Sequence, residues 1–301
     1  MMKEKLMKVL QNWEIQPNQM TQIYSSAWDI DDTYVMKVYQ NQDQLLKNAD
    51  IMTALRDCDI PVAEAIYTSA GDKYAEYEGD FFLLTKKLQG KNEIDIRDEV
   101  LEEQMGYAIA RLHKAFLHCE SVVEFGDNSL LTEMEGWILE NLEADQWETI
   151  HKEEYIETVN KLRKMNDDLP RQLIHRDVHF ENFLFLDGEF SGYIDFDLSQ
   201  KNIRVFDIGY FLAGLLVEEV EPALTKEEWL GLVSTVIKGY ESENKLTPQE
   251  KEALPCVMEC IEILFAAYFI GQKEKQFAES ARDTFRFIRD LEDELNFRLI
   301  S

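Results

Sequence analysis

Residues 174–182 read IHRDVHFEN, and residues 194–197 read IDFD. A loop this crowded with polar groups is either a busy surface turn or part of a catalytic site. The chemistry that needs these residue types is specific. A hydroxyl nucleophile requires a carboxylate within hydrogen-bond reach, to orient it and take its proton. A nucleoside triphosphate requires Mg2+ held by oxygen ligands. Asp177, just past the β-type run RQLIH, is placed to face a hydroxyl. Asn182, five residues later, is placed to turn its amide oxygen onto a metal. The intervening FLFLDGEFSGYIDFD carries Asp187-Gly188 between two apolar runs, the signature of a hairpin. Strands over 183–187 and 190–194 run out and back, so the carboxylate of Asp195 returns to the edge that Asn182 left.

Outward from that loop, the chain changes character near residue 90. Before it, TQIYSSAWDI and DTYVMKVYQ read as two strands meeting in a turn at DIDD. Residues 41–58 form a helical pattern with Leu45, Leu46, Ala49, Met52 and Leu55 on one face. Pro61 and the AGD and EGD turns punctuate further strands, up to FLLTKKLQG at 82–90. Beyond QGKNEID the pattern turns helical. Residues 97–119 place Val100, Leu101, Met105, Ala108, Ile109 and Leu112 at helical spacing, and 129–146 and 152–168 behave alike. Only 171–197 reverts to β before helices resume from about 205. The expected fold is α+β in two lobes. A small β-rich lobe with one helix covers 1–89, a hinge lies at 85–90, and a mostly helical lobe covers 90–301.

The chain has 301 residues, 45% of them hydrophobic, enough for a sizeable core. Its longest apolar stretch, ILFAAYFI at 263–270, is too short to span a bilayer and reads as a buried helix. The opening MMKEKLMKVLQNW lacks the continuous apolar run of a signal peptide. The four cysteines, Cys58, Cys119, Cys256 and Cys260, have no zinc-like partners and read as buried thiols in a reducing compartment. A cytoplasmic protein is expected. With 59 acidic against 31 basic residues, the net charge is −28, which disfavours nucleic acid and anionic membrane as partners. The same charge attracts cations.

HRDVHFEN matches the H-x-D-x-x-x-x-N loop shared by protein kinases and small-molecule kinases, and IDFD stands where those enzymes carry a metal-binding Asp. The loop–hairpin–IDF succession, VFDIGYFLAGLL downstream and MGYAIARLHKA upstream resemble the aminoglycoside phosphotransferase-like family. That family includes choline, methylthioribose and homoserine kinases. Protein-kinase marks such as A-P-E and G-x-G-x-x-G are missing. The resemblance runs from about residue 20 to 270 and implies a bilobal, protein-kinase-like fold. It also implies phosphoryl transfer from ATP or GTP to a small hydroxylated substrate. On it Asp177 is the catalytic base, Asn182 and Asp195 hold Mg2+, His175 braces the loop, and Asp207 pins the loop backbone.

The small lobe should then supply a lysine for the α- and β-phosphates. Strand alternation in TYVMKVY puts Val35, Lys37 and Tyr39 on one face, which makes Lys37 the candidate. An isolated strand lysine is more commonly an exposed edge charge. The family's acidic partner for that lysine is a Glu in the next helix. This helix offers Asp43 and Asp50 instead, and Asp50 is the expected partner. Ser25 and Ser26, in a turn without glycine, are the expected phosphate-covering loop, while Thr85 and Lys87 lie in the expected purine-binding hinge.

Two functions remain open at this stage: a Mg2+-dependent small-molecule kinase, and a kinase-like scaffold that binds without turnover. Lys37, Asp177, Asn182 and Asp195 together favour the kinase; the missing glycines and helix Glu favour the scaffold. Acidic stretches VEEVEP and KEEW within 217–229 would suit a cationic acceptor such as an amino alcohol or aminoglycoside, although a zwitterion such as homoserine fits too.

Overall fold

The structure is a computed structural model and describes residues 2–92, 97–217 and 223–300. Glu218, Glu219 and Glu221 of the VEEVEP stretch lie outside the described residues.

The small lobe is built on five strands: β1 (Met20–Tyr24), β2 (Ala27–Ile30), β3 (Tyr34–Tyr39), β4 (Ala75–Tyr77) and β5 (Asp80–Lys86). They form one antiparallel sheet in the order β1-β2-β3-β5-β4. TQIYSSAWDI is therefore not one strand. It folds back at Ser25-Ser26, with Tyr24 opposite Ala27, so Lys37 lies on the third strand and not the second.

The lobe also has two helices where one was expected. α1 (Met2–Val9) packs Leu6 and Val9, with Leu10 and Trp13 just after it, against Trp28, Ile30, Met36, Phe82 and Leu84 of the sheet. The Trp13 indole donates to the Ile66 carbonyl at 2.7 Å and fixes that cover in place. With the outer face thus closed, the opposite parity of β3 turns Val35, Lys37 and Tyr39 toward the cleft. α2 (Gln42–Arg56) is capped by Asn41 and buries Leu45, Ala49, Met52 and Leu55, as its periodicity predicts.

The large lobe begins with α3 (Glu99–Val122), capped by the Asp98 side chain. Here one residue of the expected apolar face is misplaced: Val100 is 66% exposed, whereas Glu102 is fully buried. Glu102 precedes Met105 by three residues and Ile109 by seven, so helical geometry puts it on the inner stripe whatever its polarity. α4 (Leu130–Glu133) and α5 (Leu139–Ala144) are joined through a wide turn kinked at Gly136, and α6 (Lys152–Met165) follows.

Four short strands carry the opening loop: β6 (Arg171–Ile174), β7 (Phe183–Leu186), β8 (Glu189–Tyr193) and β9 (Gln200–Ile203). β7 and β8 make the expected hairpin, with Asp187 and Gly188 both at positive φ, as a two-residue hairpin turn of this hand requires. β9 was not expected; it pairs antiparallel with β6, Ile174 opposite Gln200, and so closes the base of the loop.

The remainder is helical: α7 (Val205–Gly214), α8 (Lys226–Glu243), α9 (Pro248–Gln272), α10 (Lys275–Asp290) and α11 (Glu292–Ile300). α9 extends well beyond ILFAAYFI and is long and apolar enough to cross a membrane, but most of it is buried in this core. α3 and α8 touch backbone to backbone, since a Cβ added at Gly106 would collide with the Val236 carbonyl and one at Gly239 with the Glu103 carbonyl.

The two lobes meet through a stapled hinge. Lys91 exchanges two backbone hydrogen bonds with Phe185 of β7, at 2.9 and 2.8 Å. Tyr193 of β8 donates its amide to the Pro61 carbonyl at 3.0 Å. The hairpin that returns Asp195 is thereby tied to the small lobe that presents Lys37.

Candidate active site

A buried frame holds the opening loop. Asp207, in the first turn of α7, accepts the backbone amides of His175 and Arg176, each at 2.8 Å. The same carboxylate accepts from His113 Nε2 at 3.0 Å, and His113 Nδ1 accepts from the Tyr240 hydroxyl at 2.9 Å. His175 donates Nε2–H to the Ile194 carbonyl at 3.1 Å and receives the Asp177 amide on Nδ1 at 3.3 Å. Burial lowers the His175 pKa despite the nearby Asp207 and Asp177, so the ring is neutral and braces the loop, the role expected for it. Arg176, at φ 70°, sends its guanidinium to Glu133 at 2.6 Å.

This frame presents Asp177 at the cleft. Tyr210 of α7 donates its hydroxyl to Oδ1 at 2.8 Å. On Oδ2 the contacts are longer, Asn182 Nδ2 at 3.2 Å and His179 Nε2 at 3.5 Å. Burial alone would raise this carboxyl, but the bonds and charge of His179, with Tyr210 and His175, outweigh it and hold the pKa at about 2. Asp177 is ionised throughout the physiological range.

Asn182 donates Nδ2 to the Asp177 carbonyl at 2.7 Å, which turns its amide oxygen the other way. Its own carbonyl accepts the Ile194 amide at 3.1 Å, so the residue preceding Asp195 lies directly beside Asn182. Among the described residues no group of three or more His, Cys, Asp or Glu side chains gathers around a metal position. Two oxygen donors are what Asn182 and Asp195 offer, and they fit Mg2+, which commonly takes one or two protein oxygens and completes its shell with phosphates and water.

Lys37 reaches across the cleft to Asp195 at 2.8 Å and Asp197 at 2.7 Å. Burial opposes its charge, yet the two carboxylates, Asp197 foremost, raise its pKa. Asp50 is not its partner; that carboxylate pairs with Lys73 at 2.5 Å. The cause is helical phase. Two residues of α2 turn through about 200°, so with Asn48 facing the cleft Asp50 points outward. Asn48 is the residue the helix contributes: buried, it donates to Asp197 and, at 2.8 Å, to the Tyr39 hydroxyl.

The remaining candidates are dispersed around this centre. Ser25 and Ser26 form the β1–β2 turn, and Ser26 accepts the Val38 amide at 2.8 Å. Adjacent Tyr24 is more than half exposed, and its phenol is raised by partial burial and by the charges of Glu181 and Asp195. Thr85 lies opposite Val35 on the cleft face of the sheet and is buried. Lys87 is at the far end of that face, its ammonium held by Asp29 at 2.6 Å and Asp32 at 2.5 Å. The sequence reading missed Asn48, Tyr39, Glu133 and Tyr210 as parts of the site. It quoted Asp197 but gave it no role; the second carboxylate of IDFD was the available signal.

A five-stranded lobe over a helical lobe, with this loop, hairpin and carboxylate pair between them, defines the protein-kinase-like class. The chain belongs to the phosphotransferase enzyme family, whose model matches residues 22–242, well over half of it. A homoserine kinase of Hyphomonas neptunium is 34% identical over 103 residues, 34% of this chain and 31% of that protein. The match thus spans about a third of this relative's length. In structure, the chain is similar to amicoumacin kinase hAmiN in complex with AMP-PNP, Ca2+ and Ami, with a TM-score of 0.72, 19% identity, and 97% and 93% of the two chains covered. It is also similar to a microcompartment-associated aminopropanol kinase, with a TM-score of 0.64, 16% identity and 99% of each chain covered.

Proposed function

We propose that this protein transfers the terminal phosphoryl group of ATP or GTP to a hydroxyl of a small cytoplasmic metabolite. The observation that carries this reading is Lys37 of the small lobe meeting Asp195 and Asp197 of the large lobe at 2.8 and 2.7 Å, beside an Asn182–Asp177 pair. Asp177 orients the acceptor hydroxyl and takes its proton, its low pKa keeping it in the basic form. Lys37 steadies the α- and β-phosphates, and the Ser25–Ser26 turn closes over them. Asn182 and Asp195 would hold Mg2+, which would supply charge neutralisation to the phosphates. The acceptor class that best suits a chain of net charge −28 is an amino alcohol, an amino acid or an aminoglycoside. Homoserine, aminopropanol and amicoumacin kinases among the similar proteins are consistent with it.

A phosphotransfer screen tests the reading, with ATP and GTP against amino alcohols, sugars and aminoglycosides, with and without Mg2+. Metal-dependent turnover of at least one amine-bearing alcohol, lost in Asp177→Ala, is expected. Nucleotide binding with no turnover across the panel would make the protein a scaffold, and turnover of neutral sugars alone would refute the charge argument.

A further inference from the structure

Five consecutive residues of the hinge lie against the β7–β8 hairpin. A Cβ added at Gly192 would stand 2.8 Å from Leu88 Cδ1. Ser191 donates its hydroxyl to the Gln89 carbonyl at 2.8 Å. A Cβ added at Gly90, whose φ is 120°, would come within 2.8 Å of the Phe185 carbonyl oxygen. Lys91 makes its two backbone bonds to Phe185, and Asn92 follows it. The amides of Lys86 and Lys87, in contrast, are held at 2.9 Å by the carbonyls of Glu64 and Thr33, both in the small lobe. Along the hinge, attachment therefore passes from the small lobe to the hairpin between Lys87 and Leu88, and residues 88–92 are a strap that belongs to the hairpin.

Asn92 ends this strap on the catalytic loop. Its half-buried side-chain amide donates to the Glu181 carbonyl at 2.6 Å and to the Phe183 carbonyl at 3.1 Å, with the Phe180 carbonyl at 3.5 Å. A side-chain amide has two N–H donors, and its two shorter bonds go to the carbonyls on either side of Asn182. Asn182 itself is bound through its amide to the His179 carbonyl at 3.0 Å, through its carbonyl to the Ile194 amide, and through Nδ2 to Asp177. Among the described residues, none donates a hydrogen bond to its side-chain oxygen. The turn that carries it, Phe180–Asn182, is three residues long, so its orientation depends on what grips the flanking carbonyls.

We propose that Asn92 is a positioning residue for Asn182, and that through it the hinge, where the purine would lie, sets the geometry of the metal site. This rests on the phosphotransfer reading, in which Asn182 and Asp195 would hold Mg2+. A ligand oxygen must be fixed to within about 0.5 Å, and bonds around the ligand do that. A base seated on the strap steadies Asn92, and Asn92 steadies the ligand. Nucleotide and metal should then each favour the binding of the other.

The test uses the full chain and two substitutions, with thermal melts to confirm folding. Asn92→Ala removes both donors, whereas Asn92→Asp keeps the size and sets a carboxylate against the same carbonyls. In metal-free protein, hydrogen exchange at the Asn182 and Ile194 amides should be at least tenfold faster in Asn92→Ala, and faster still in Asn92→Asp, with strand β3 unchanged. Calorimetry with AMP-PNP gives the second reading. With chelator, both variants should bind within twofold of wild type; with Mg2+ they should lose about tenfold to a hundredfold. Unchanged exchange at those amides in both variants, or an equal loss of affinity with and without Mg2+, overturns the proposal. If wild type binds no nucleotide, the phosphotransfer reading fails, and the exchange measurement alone decides whether Asn92 positions Asn182.

Discussion

Asp177 shares one carboxyl among several neighbours, and on the proposed function the sharing decides which oxygen would meet the acceptor. Oδ1 is taken by a short bond from Tyr210, whereas Oδ2 has only contacts of 3.2 and 3.5 Å and is the oxygen the proposed acceptor hydroxyl would reach. Asp177→Asn keeps the shape and removes the proposed base, so steady-state assays should show kcat lowered by about a hundredfold to ten-thousandfold with nucleotide affinity retained. The pH profile follows from the depressed pKa. With a pKa of about 2 against an ordinary 3.8, Asp177 stabilises the folded state above the higher value, and that contribution is lost as pH falls toward the lower. The wild-type rate should therefore show no acid limb from Asp177 down to about pH 5. Tyr210→Phe removes a bond to the ionised form, so the carboxyl's pKa rises and any acid limb moves upward. A Tyr210→Phe profile with its limb shifted downward would contradict this account. Asp177, Asn182 and Asp195 were legible because a fixed spacing within one loop and hairpin carries them. Asn48 was not, because its partner Asp197 lies 149 residues away and no local pattern links them.

Elements here are positioned by close backbone approach, and one of the buried acids, Glu102, sits on an apolar stripe. Gly239 of α8 abuts the Glu103 carbonyl, whereas a Cβ at Gly231 of the same helix meets nothing within 4 Å. Gly239→Ala must push α3 and α8 apart, and denaturant unfolding should show a loss of about 1–3 kcal/mol. Gly231→Ala should instead gain about 0.5–1 kcal/mol from helix propensity. Equal effects at the two sites would disprove the close packing. Glu102, buried on α3 with neither carboxylate oxygen hydrogen-bonded, has its pKa pushed by burial, and secondarily by Asp98, to about 8. Its folded pKa exceeds the ordinary 4.5, so the native state holds the proton more tightly and stability falls as pH rises between these values. Glu102→Gln should therefore raise stability at pH 8 by an amount on the order of 2–4 kcal/mol, a gain that vanishes near pH 4.5. Thermal melts across pH check the sign. Periodicity revealed α2 and the β7–β8 hairpin because apolar residues repeat there without interruption. It misjudged α3 because Glu102 occupies an inward position, and it passed over β9, whose polar sequence QKNI gives no strand signal. α1 gives little signal because its eight residues, MKEKLMKV, bury only Leu6 and Val9, too few to mark a helical stripe.

Across the whole molecule, the lobes are joined by the stapled hinge, by α2 packed on α3 in one shared core with Arg111 donating to the Asp59 carbonyl at 2.9 Å, and by a cluster of charges spanning the cleft. In that cluster Asp197 is held by Asn48, Tyr39 and Lys37, all from the small lobe, while Asp195 has Lys37. The acid that the family takes from the helix is thus supplied from the large lobe, and the helix contributes an amide. Asp197, with three small-lobe partners, is the tie between lobes; on the proposed function Asp195, with one, would be the carboxylate available to a metal once phosphates reach Lys37. Bridging both lobes, nucleotide and Mg2+ together should stabilise the fold far more than either alone. At a hundred times the dissociation constant the gain is about 2.7 kcal/mol. For a chain of this size that corresponds to a rise in Tm of roughly 4 °C. ATP with a chelator should give only a small part of this shift. Asp195→Asn should remove the metal-dependent part, and Lys37→Met most of the whole. Asn48→Leu leaves the Asp197 carboxylate short of a donor, so it should lower Tm without ligand and raise KM for nucleotide. Differential scanning of these four proteins, with ATP plus Mg2+ and ATP plus chelator, separates the roles. A full shift without metal, or one that survives Asp195→Asn, would show that Asp195 serves only as the ion-pair partner of Lys37.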